Sequence, residues 1–265
     1  MPFACLCYAE YRRSYTDVKS VGIYSKFNKE SDLYTLFYYP NNASLAPHFL
    51  LHHMGLSYDL VLVDKKSNAQ KSPAYLTLNP AGRIPTLIDH SLEGPVGLGA
   101  DLKSGLAIFE SPAICIHLCE QHPEHGLIPA LGSKERPLFF QWLTYLNNTL
   151  QAELMVRYYP HRHTDDESTI PNIVAAQNER IADALSVINA QLESNCRENK
   201  AYLLSDTVTA CDFFLFMLAE WSLPITPSPL HFDCLAAYLK RLAAHPTVVA
   251  VCEIEQIDLT PFKPC

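Results

Sequence analysis

The pattern of apolar and polar positions changes character along the chain. Leu33 to Tyr39 (LYTLFYY) is a continuous apolar and aromatic run that stops at Pro40, which predicts a buried strand ended by a Pro-Asn-Asn turn. Ser44 to Met54 predicts a helix. Ser44 is a favoured N-cap, Pro47 falls in the first turn where its missing N–H does no harm, and Gly55 marks the stop. Ser57 to Val63 reads as a second strand. Strand, helix and strand in this order make a βαβ unit, which requires parallel strands and a right-handed crossover.

Residues 72–79 predict a short helix or turn, and Asn79-Pro80-Ala81-Gly82-Arg83 interrupts regular structure. Pro85 to Asp89 and Leu106 to Phe109 read as short strands. The segment between them, 90–105, carries Gly94, Gly97, Gly99 and Gly105 and is longer than the ~2–5 residues of an ordinary hairpin loop, so it reads as a mobile insertion. Ser111 is placed as the N-cap of a helix that has Pro112 at its first position and runs to Gln121. Pro123, Gly126, Pro129 and Gly132 then punctuate a linker.

Beyond the linker the period is helical throughout. Ser133 to Tyr159 predicts one long amphipathic helix ended by Pro160. Pro171 opens another, with Ile173, Ile181, Leu185, Ile188 and Leu192 on one face. Thr209 and Asp212 precede the apolar run Phe213 to Trp221 and have the spacing of a capping box, with Asp in place of Glu. Two further helices cover about 231–244 and 246–254. The expected organisation is an extension of unknown role (1–32), an α/β domain (33–122), a linker (123–132) and an all-α domain (133–265).

Composition narrows the function classes. The chain has 265 residues, of which 48% are hydrophobic and 18% charged, with 14 Tyr and 12 Phe, enough to build folded cores. A formal charge of −8 disfavours a nucleic-acid groove, and no apolar run approaches the ~18 residues that span a bilayer. The nine cysteines include no CxxC, so a dithiol redox motif and a zinc knuckle both lack their spacing; buried free thiols in a reducing compartment are expected. The first 30 residues lack the apolar core of a secretory signal, and the cytoplasm is the expected compartment.

Three places can carry chemistry. The N-terminus of the first helix offers free N–H groups, the positive end of a dipole and the Ser44 hydroxyl: an anion site, or a simple cap. Arg83-Ile84-Pro85 exposes the Ile84 main chain to an extended peptide if the proline bond is cis, and starts an edge strand if it is trans. Glu110-Ser111-Pro112 places a carboxylate and a helix start side by side, which suits a ligand bearing both an ammonium and a carboxylate, or serves capping alone. His161 and His163 flank Arg162 in what reads as a solvated loop rather than a metal pair, and Cys115 and Cys119 share a helical face that reads as core.

The order of these segments resembles a known family. FYYPNNASLAPHFLLHHMGL resembles the strand, turn and helix of bacterial, beta-like members of the cytosolic glutathione S-transferases, NPAGRIP resembles their cis-proline loop, and ESPAI resembles their Glu-Ser-x-Ala-Ile segment. The resemblance covers residues 33 to about 255 and implies a thioredoxin-like domain followed by an all-helical one. It implies that Ser44 faces the glutathione thiol, that Ile84 and cis Pro85 bond its cysteinyl main chain, and that Glu110 and Ser111 hold its γ-glutamyl end; Asn41 and Asn42, whose amides sit in the same turn as Ser44, are the alternative donors to the sulfur. Tyr145, Tyr158, Tyr159 and Trp221 are implied to shape the pocket for the electrophile. Glutathione is then a co-substrate, a hydrophobic electrophilic small molecule is the partner, a homodimer is the assembly, and no metal, nucleotide, nucleic acid or membrane is called for. Where the bacterial members usually carry cysteine, this chain has Ala43, and the 90–105 insertion departs from the family pattern. A non-catalytic binding or regulatory protein and a glutathione-dependent isomerase or dehalogenase are the alternatives.

Overall fold

The structure, a computed structural model, describes residues 16–18, 23–25, 33–94 and 104–263. The chain separates into two compact units, Met1–Ile114 and Cys115–Cys265.

The first unit is built on a mixed sheet with strand order β1-β2-β4-β3-β5-β6. These strands are β1 (Thr16–Val18), β2 (Ile23–Ser25), β3 (Tyr34–Tyr38), β4 (Tyr58–Val63), β5 (Thr86–Asp89) and β6 (Leu106–Phe109). All five residues of β3 are buried, as a strand with neighbours on both edges and cover on both faces must be. It pairs parallel to β4, Leu36 opposite Leu60, and antiparallel to β5, Leu36 opposite Leu87. The parallel pair requires a crossover, supplied by α1 (Leu45–His53). Nearly every side chain of α1 is buried, including His48, whose Nε2 lies 3.2 Å from the Tyr58 hydroxyl.

The extension has a structural part. Its β1 and β2 form a hairpin, and β2 continues the sheet antiparallel to β4, with Ile23 opposite Val63. The hairpin thereby satisfies main-chain groups of a strand that would otherwise end the sheet. At the other edge, the stem of the 90–105 insertion closes tightly. A Cβ on Gly105 would lie 2.6 Å from the Asp89 carbonyl oxygen, and one on Gly94 would lie 2.6 Å from that of Gly105. His90 spans the stem, with Nε2 2.8 Å from Thr35 Oγ1 and Nδ1 3.1 Å from the Ser104 carbonyl oxygen. The expected mobility of this insertion concerns 95–103, which lie outside the described residues.

The remaining helix of the first unit, α2 (Pro73–Leu76), starts at Ser72, whose side chain accepts from the Tyr75 N–H. The helix α3 (Ser111–Gln121) follows β6, and the division between the units falls within it. The reason lies in what its C-terminal half touches. Glu120 pairs with Arg136, and Cys115 and Cys119 lie near Cys211.

The second unit is helical: α4 (Glu135–Tyr145), α5 (Ala152–Tyr158), α6 (Ile170–Arg197), α7 (Ala210–Ser222), α8 (Asp233–Ala243) and α9 (Pro246–Glu255). The helix expected as one piece over 133–159 is α4 and α5 joined by a π-helical stretch at Leu146–Gln151, whose wider turn is invisible to a 3.6-residue period. The capping box opens α7 as expected. Its Asp212 is fully buried and accepts from the Thr209 N–H (2.7 Å) and hydroxyl (2.8 Å) on Oδ2, and from the Leu203 N–H (2.9 Å) and Tyr238 hydroxyl (2.5 Å) on Oδ1. One carboxylate thus joins the start of α7, the loop before it and α8.

Candidate functional site

Strand register gathers the candidate residues of the first unit. Phe37 lies opposite Thr86, and Thr86 opposite Phe109. The end of β3, the start of β5 and the end of β6 therefore coincide. Tyr39 to Ser44, Ile84-Pro85 and Glu110-Ser111 all leave the sheet at that one end, where α1 and α3 begin.

The Ile84–Pro85 bond is cis. The Ile84 side chain joins the core cluster of Phe37, Val61, Tyr75 and Ile88, which anchors the residue and leaves only its main chain to meet a ligand. Among the described residues no hydrogen bond engages the Ile84 N–H or C=O. The loop around it is held by two residues that the sequence pattern alone did not single out. Tyr75 donates its hydroxyl to the Arg83 carbonyl (2.8 Å) and lies 2.9 Å from Thr86 Oγ1. Burial drives that phenol far above its usual range, against the hydrogen bonds of Thr86 and Asn79. Asn79 Nδ2 donates to the same Arg83 carbonyl (2.9 Å) while its Oδ1 accepts from the Ala81 N–H (3.1 Å). The Asn-Pro pair in NPAGRIP was the available signal, because an Asn side chain closes turns on its own main chain.

Two capping expectations are corrected. Ser44 occupies the N-cap position of α1 but makes no side-chain cap. It is fully buried, donating its hydroxyl to the Tyr39 carbonyl (3.2 Å) and accepting from the Tyr39 N–H (3.3 Å). Pro47, which has no N–H to offer, sits in the turn where a capped donor would be. Ser111 is the first residue of α3 rather than its cap, and its hydroxyl donates to the Ala43 carbonyl at 2.7 Å. That bond ties the entry of α1 to the entry of α3 across 68 positions of sequence. In the first turn of α1 the Leu45 N–H donates to the Asn42 carbonyl (2.9 Å), the His48 N–H to that of Ser44 (3.0 Å), and Pro47 has none, which leaves the Ala46 N–H for an anion.

Glu110, between β6 and α3, is exposed with φ +71. A non-glycine residue in the left-handed region costs ~1–2 kcal/mol and is found where the fold imposes it, often at a ligand site. Its carbonyl accepts from the Ile114 N–H at 3.0 Å, so the turn that forces this φ is also the first turn of α3. Asn41, in the turn after β3, has φ +50, which its side chain tolerates well.

The four aromatic candidates lie in the helical unit and divide into two groups. Tyr145 donates to the Ala184 carbonyl of α6 (3.3 Å) and packs edge-on against Trp142; burial raises its phenol, and Asp183 adds to this. Its hydroxyl is committed to holding helices together. Tyr158, at the end of α5, donates to the Trp221 carbonyl at the end of α7, so these two are brought together. Tyr159 follows, with the Arg162 guanidinium 4.0 Å above its ring. His161 and His163 are exposed in the turn beyond. Among the described residues no cluster of His, Cys, Asp or Glu could hold a metal ion, and no helix is long and apolar enough to cross a membrane.

A mixed sheet with a cis-proline loop opposite two helix N-termini, followed by a helical unit with a buried capping box, defines a thioredoxin-like protein with an added all-helical domain. Similarity to known proteins agrees. Residues 43–121 match the N-terminal domain of glutathione S-transferase, and residues 151–246 match its C-terminal domain. The chain is 30% identical over 175 residues to glutathione S-transferase F10 of Arabidopsis thaliana, covering 63% of this chain and 70% of that protein. It is 26% identical over 214 residues to glutathione S-transferase GstA of Escherichia coli O157:H7, covering 80% and 94%. A solved structure of a sphingomonad glutathione S-transferase complexed with glutathione matches with a TM-score of 0.66 at 25% identity, covering 84% of this chain and 100% of that one. The chain belongs to the glutathione S-transferase family.

Proposed function

We propose that this protein binds glutathione at the end of the sheet where Ile84, Glu110 and Ser111 meet, and transfers its thiolate to a hydrophobic electrophile. The observation that carries the reading is the open main chain of Ile84 beside the cis proline, at the same sheet end as two helix N-termini and the Glu110 carboxylate. An extended peptide pairs its main chain with such an edge. The cysteinyl residue of glutathione bonds Ile84, with Pro85 shaping the loop. The γ-glutamyl ammonium pairs with Glu110, and its carboxylate takes the Ser111 N–H at the start of α3.

The sulfur is then directed to the N-terminus of α1, where the helix dipole and the Ala46 N–H favour the thiolate over the thiol. Ser44 assists by turning its hydroxyl from the Tyr39 carbonyl to the sulfur; Asn41 and Asn42, in the same turn, are the alternative donors. Ala43 offers no thiol, so no protein mixed disulfide forms at that position. The glutathione sulfur attacks the electrophilic carbon, one S–C bond forms, and the carbon's leaving group departs with its electron pair. Tyr158, Tyr159 and Trp221 supply apolar surface for the acceptor. The reading includes a cytoplasmic location and a homodimer, for which light scattering should give twice the mass of the 29.8 kDa chain.

The test is calorimetric titration with glutathione and with cysteinylglycine, which lacks the γ-glutamyl group, followed by turnover with a panel of electrophiles. Glutathione should bind, cysteinylglycine should bind at least tenfold more weakly, and at least one electrophile should be conjugated. Equal binding of the two peptides removes Glu110 and Ser111 from the site. Binding without conjugation overturns the enzymatic half of the proposal and leaves a binding or regulatory protein.

A further inference from the structure

Behind the cis-proline loop lies a set of buried polar groups to which the function proposed above assigns no part. Tyr75 and Asn79 are both buried, and the Tyr75 ring packs edge-on against Phe37 at 5.8 Å. Their main chains are tied together, because the Asn79 N–H donates to the Tyr75 carbonyl at 3.0 Å. Their side chains end on one atom: the Tyr75 hydroxyl (2.8 Å) and Asn79 Nδ2 (2.9 Å) both donate to the Arg83 carbonyl oxygen. Both lone pairs of that oxygen are thereby used. The single hydroxyl proton of Tyr75 goes to Arg83, so in its 2.9 Å contact with Thr86 Oγ1 the threonine is the donor. Burial drives the Tyr75 phenol far above its usual range, so that proton stays in place.

A trans peptide plane carries its C=O and its N–H on opposite sides. The Arg83 C=O is turned toward two buried donors, so the Ile84 N–H of the same plane is turned away from them. Flipping the plane would strand both donors in the core, each at the cost of an unmade hydrogen bond. The Ile84 side chain, packed in the same cluster as the Tyr75 ring, holds the plane from its other end. Two donors on the C=O also polarise the amide and make its N–H a stronger donor.

We propose that Tyr75 and Asn79 are positioning residues for glutathione: through the Arg83 carbonyl they aim and strengthen the Ile84 N–H as the donor to the cysteinyl carbonyl of the ligand. This role rests on glutathione binding as proposed above. Neither side chain touches the ligand. They govern one of its two main-chain bonds, since the Ile84 C=O belongs to the next peptide plane, the cis one of Pro85.

The experiment compares the full-length wild type with Y75F by calorimetric titration. The probes are glutathione and a glutathione whose cysteinyl carbonyl is a thiocarbonyl, a weaker acceptor of nearly the same shape. Tyr75→Phe removes one donor and leaves the Arg83 oxygen its Asn79 partner. Glutathione should bind Y75F roughly three- to tenfold more weakly, the fold-change of one neutral hydrogen bond. The thiocarbonyl analogue should bind the two proteins within about twofold of each other, the scatter of uncoupled sites. In the ligand-free proteins, 15N relaxation of labelled isoleucine should show the Ile84 amide rigid in wild type, with an order parameter of ~0.85, and less ordered in Y75F. Should Y75F fail to fold, N79D takes its place, because a carboxylate still accepts from the Ala81 N–H and offers Arg83 no donor. Equal losses for the two probes would reduce Tyr75 to a structural part and overturn the proposal. An unchanged glutathione affinity, or an Ile84 amide equally ordered in both proteins, would do the same. A wild type that binds neither probe overturns the function proposed above and this role with it; a wild type that binds glutathione no better than Y75F does overturns this role alone.

Discussion

Ser44→Ala separates chemistry from scaffolding at the entry of α1. The hydroxyl makes two bonds to the main chain of Tyr39, at 3.2 and 3.3 Å, both at the long end of the useful range. Each is therefore near the weak end of the ~0.5–1.5 kcal/mol that a neutral hydrogen bond contributes. Alanine leaves a donor and an acceptor of Tyr39 without their partner, but Tyr39 is only half-buried, so water can reach them. A stability loss of about 1–2 kcal/mol follows, at the lower end of the ~1–3 kcal/mol for an unsatisfied buried group. The effect on chemistry is smaller than for an unattached hydroxyl. A donor to a charged acceptor contributes ~1.5–3 kcal/mol, but Ser44 must first release the Tyr39 carbonyl at ~0.5–1.5 kcal/mol. The net of about 1–1.5 kcal/mol is roughly one pKa unit on the bound thiol. The helix dipole and the Ala46 N–H remain and keep their share of ~0.3–1 kcal/mol. Ultraviolet absorbance of the bound thiolate, titrated against pH in both proteins, reads the first effect, and urea unfolding reads the second. A curve displaced upward by about one unit, with lost stability, is expected. Coincident thiolate curves would assign Ser44 to the Tyr39 turn alone and move the donor role to Asn41 or Asn42. Unchanged stability would refute the bonds to Tyr39 as contributors.

Glu110→Gln keeps the shape and removes the charge that pairs with the γ-glutamyl ammonium; because Glu110 is exposed in the free protein, the loss lies near the bottom of ~1.5–3 kcal/mol, about tenfold in affinity by calorimetry, and an unaltered affinity would exclude the pairing. Asp212→Asn leaves one oxygen where two accept four donors: the hydroxyls of Thr209 and Tyr238 can rotate to accept from the new NH2, but the main-chain N–H of either Thr209 or Leu203 is orphaned. Unfolding in urea should show a loss of about 1–3 kcal/mol, and a change within about 0.5 kcal/mol would sink that account of the network. His245 caps α9 by accepting the Thr247 N–H on Nδ1, and burial holds its imidazole below the usual value of 6.5. Between the folded and unfolded pKa values the unfolded chain binds the additional proton, so this contribution is present above about 6.5 and is lost as pH falls through the folded value. His245→Asn, a cap that does not titrate, should flatten the fall in melting temperature between pH 7 and 5; parallel curves for the two proteins would rule the linkage out.

The sequence by itself determined the elements and their order. Apolar runs, the period of the helical half and the placement of Pro and Gly are local properties, so the strands from β3 to β6 and the opening residues of α1 and α3 lie within a residue or two of where the pattern puts them. The capping box at Thr209 and Asp212 was legible for the same reason, since it is written within a few consecutive residues, whereas the residues around Pro85 left cis and trans open and only the family resemblance implied cis. What only the tertiary structure decided is where the polar groups go. Ser44 turned to Tyr39 instead of capping its own helix, Ser111 crossed to Ala43, Tyr75 and Asn79 converged on the Arg83 carbonyl, and Tyr238 reached Asp212 from another helix. The same holds for β2, whose place beside β4 no short apolar segment of 1–32 announces. A hydroxyl or thiol has several partners of nearly equal strength within reach of a folding chain, each worth only ~1 kcal/mol net. Burying the apolar faces releases more free energy than any of these bonds, so it sets sheet register and helix packing first, and the polar groups then bond whatever that packing brings beside them.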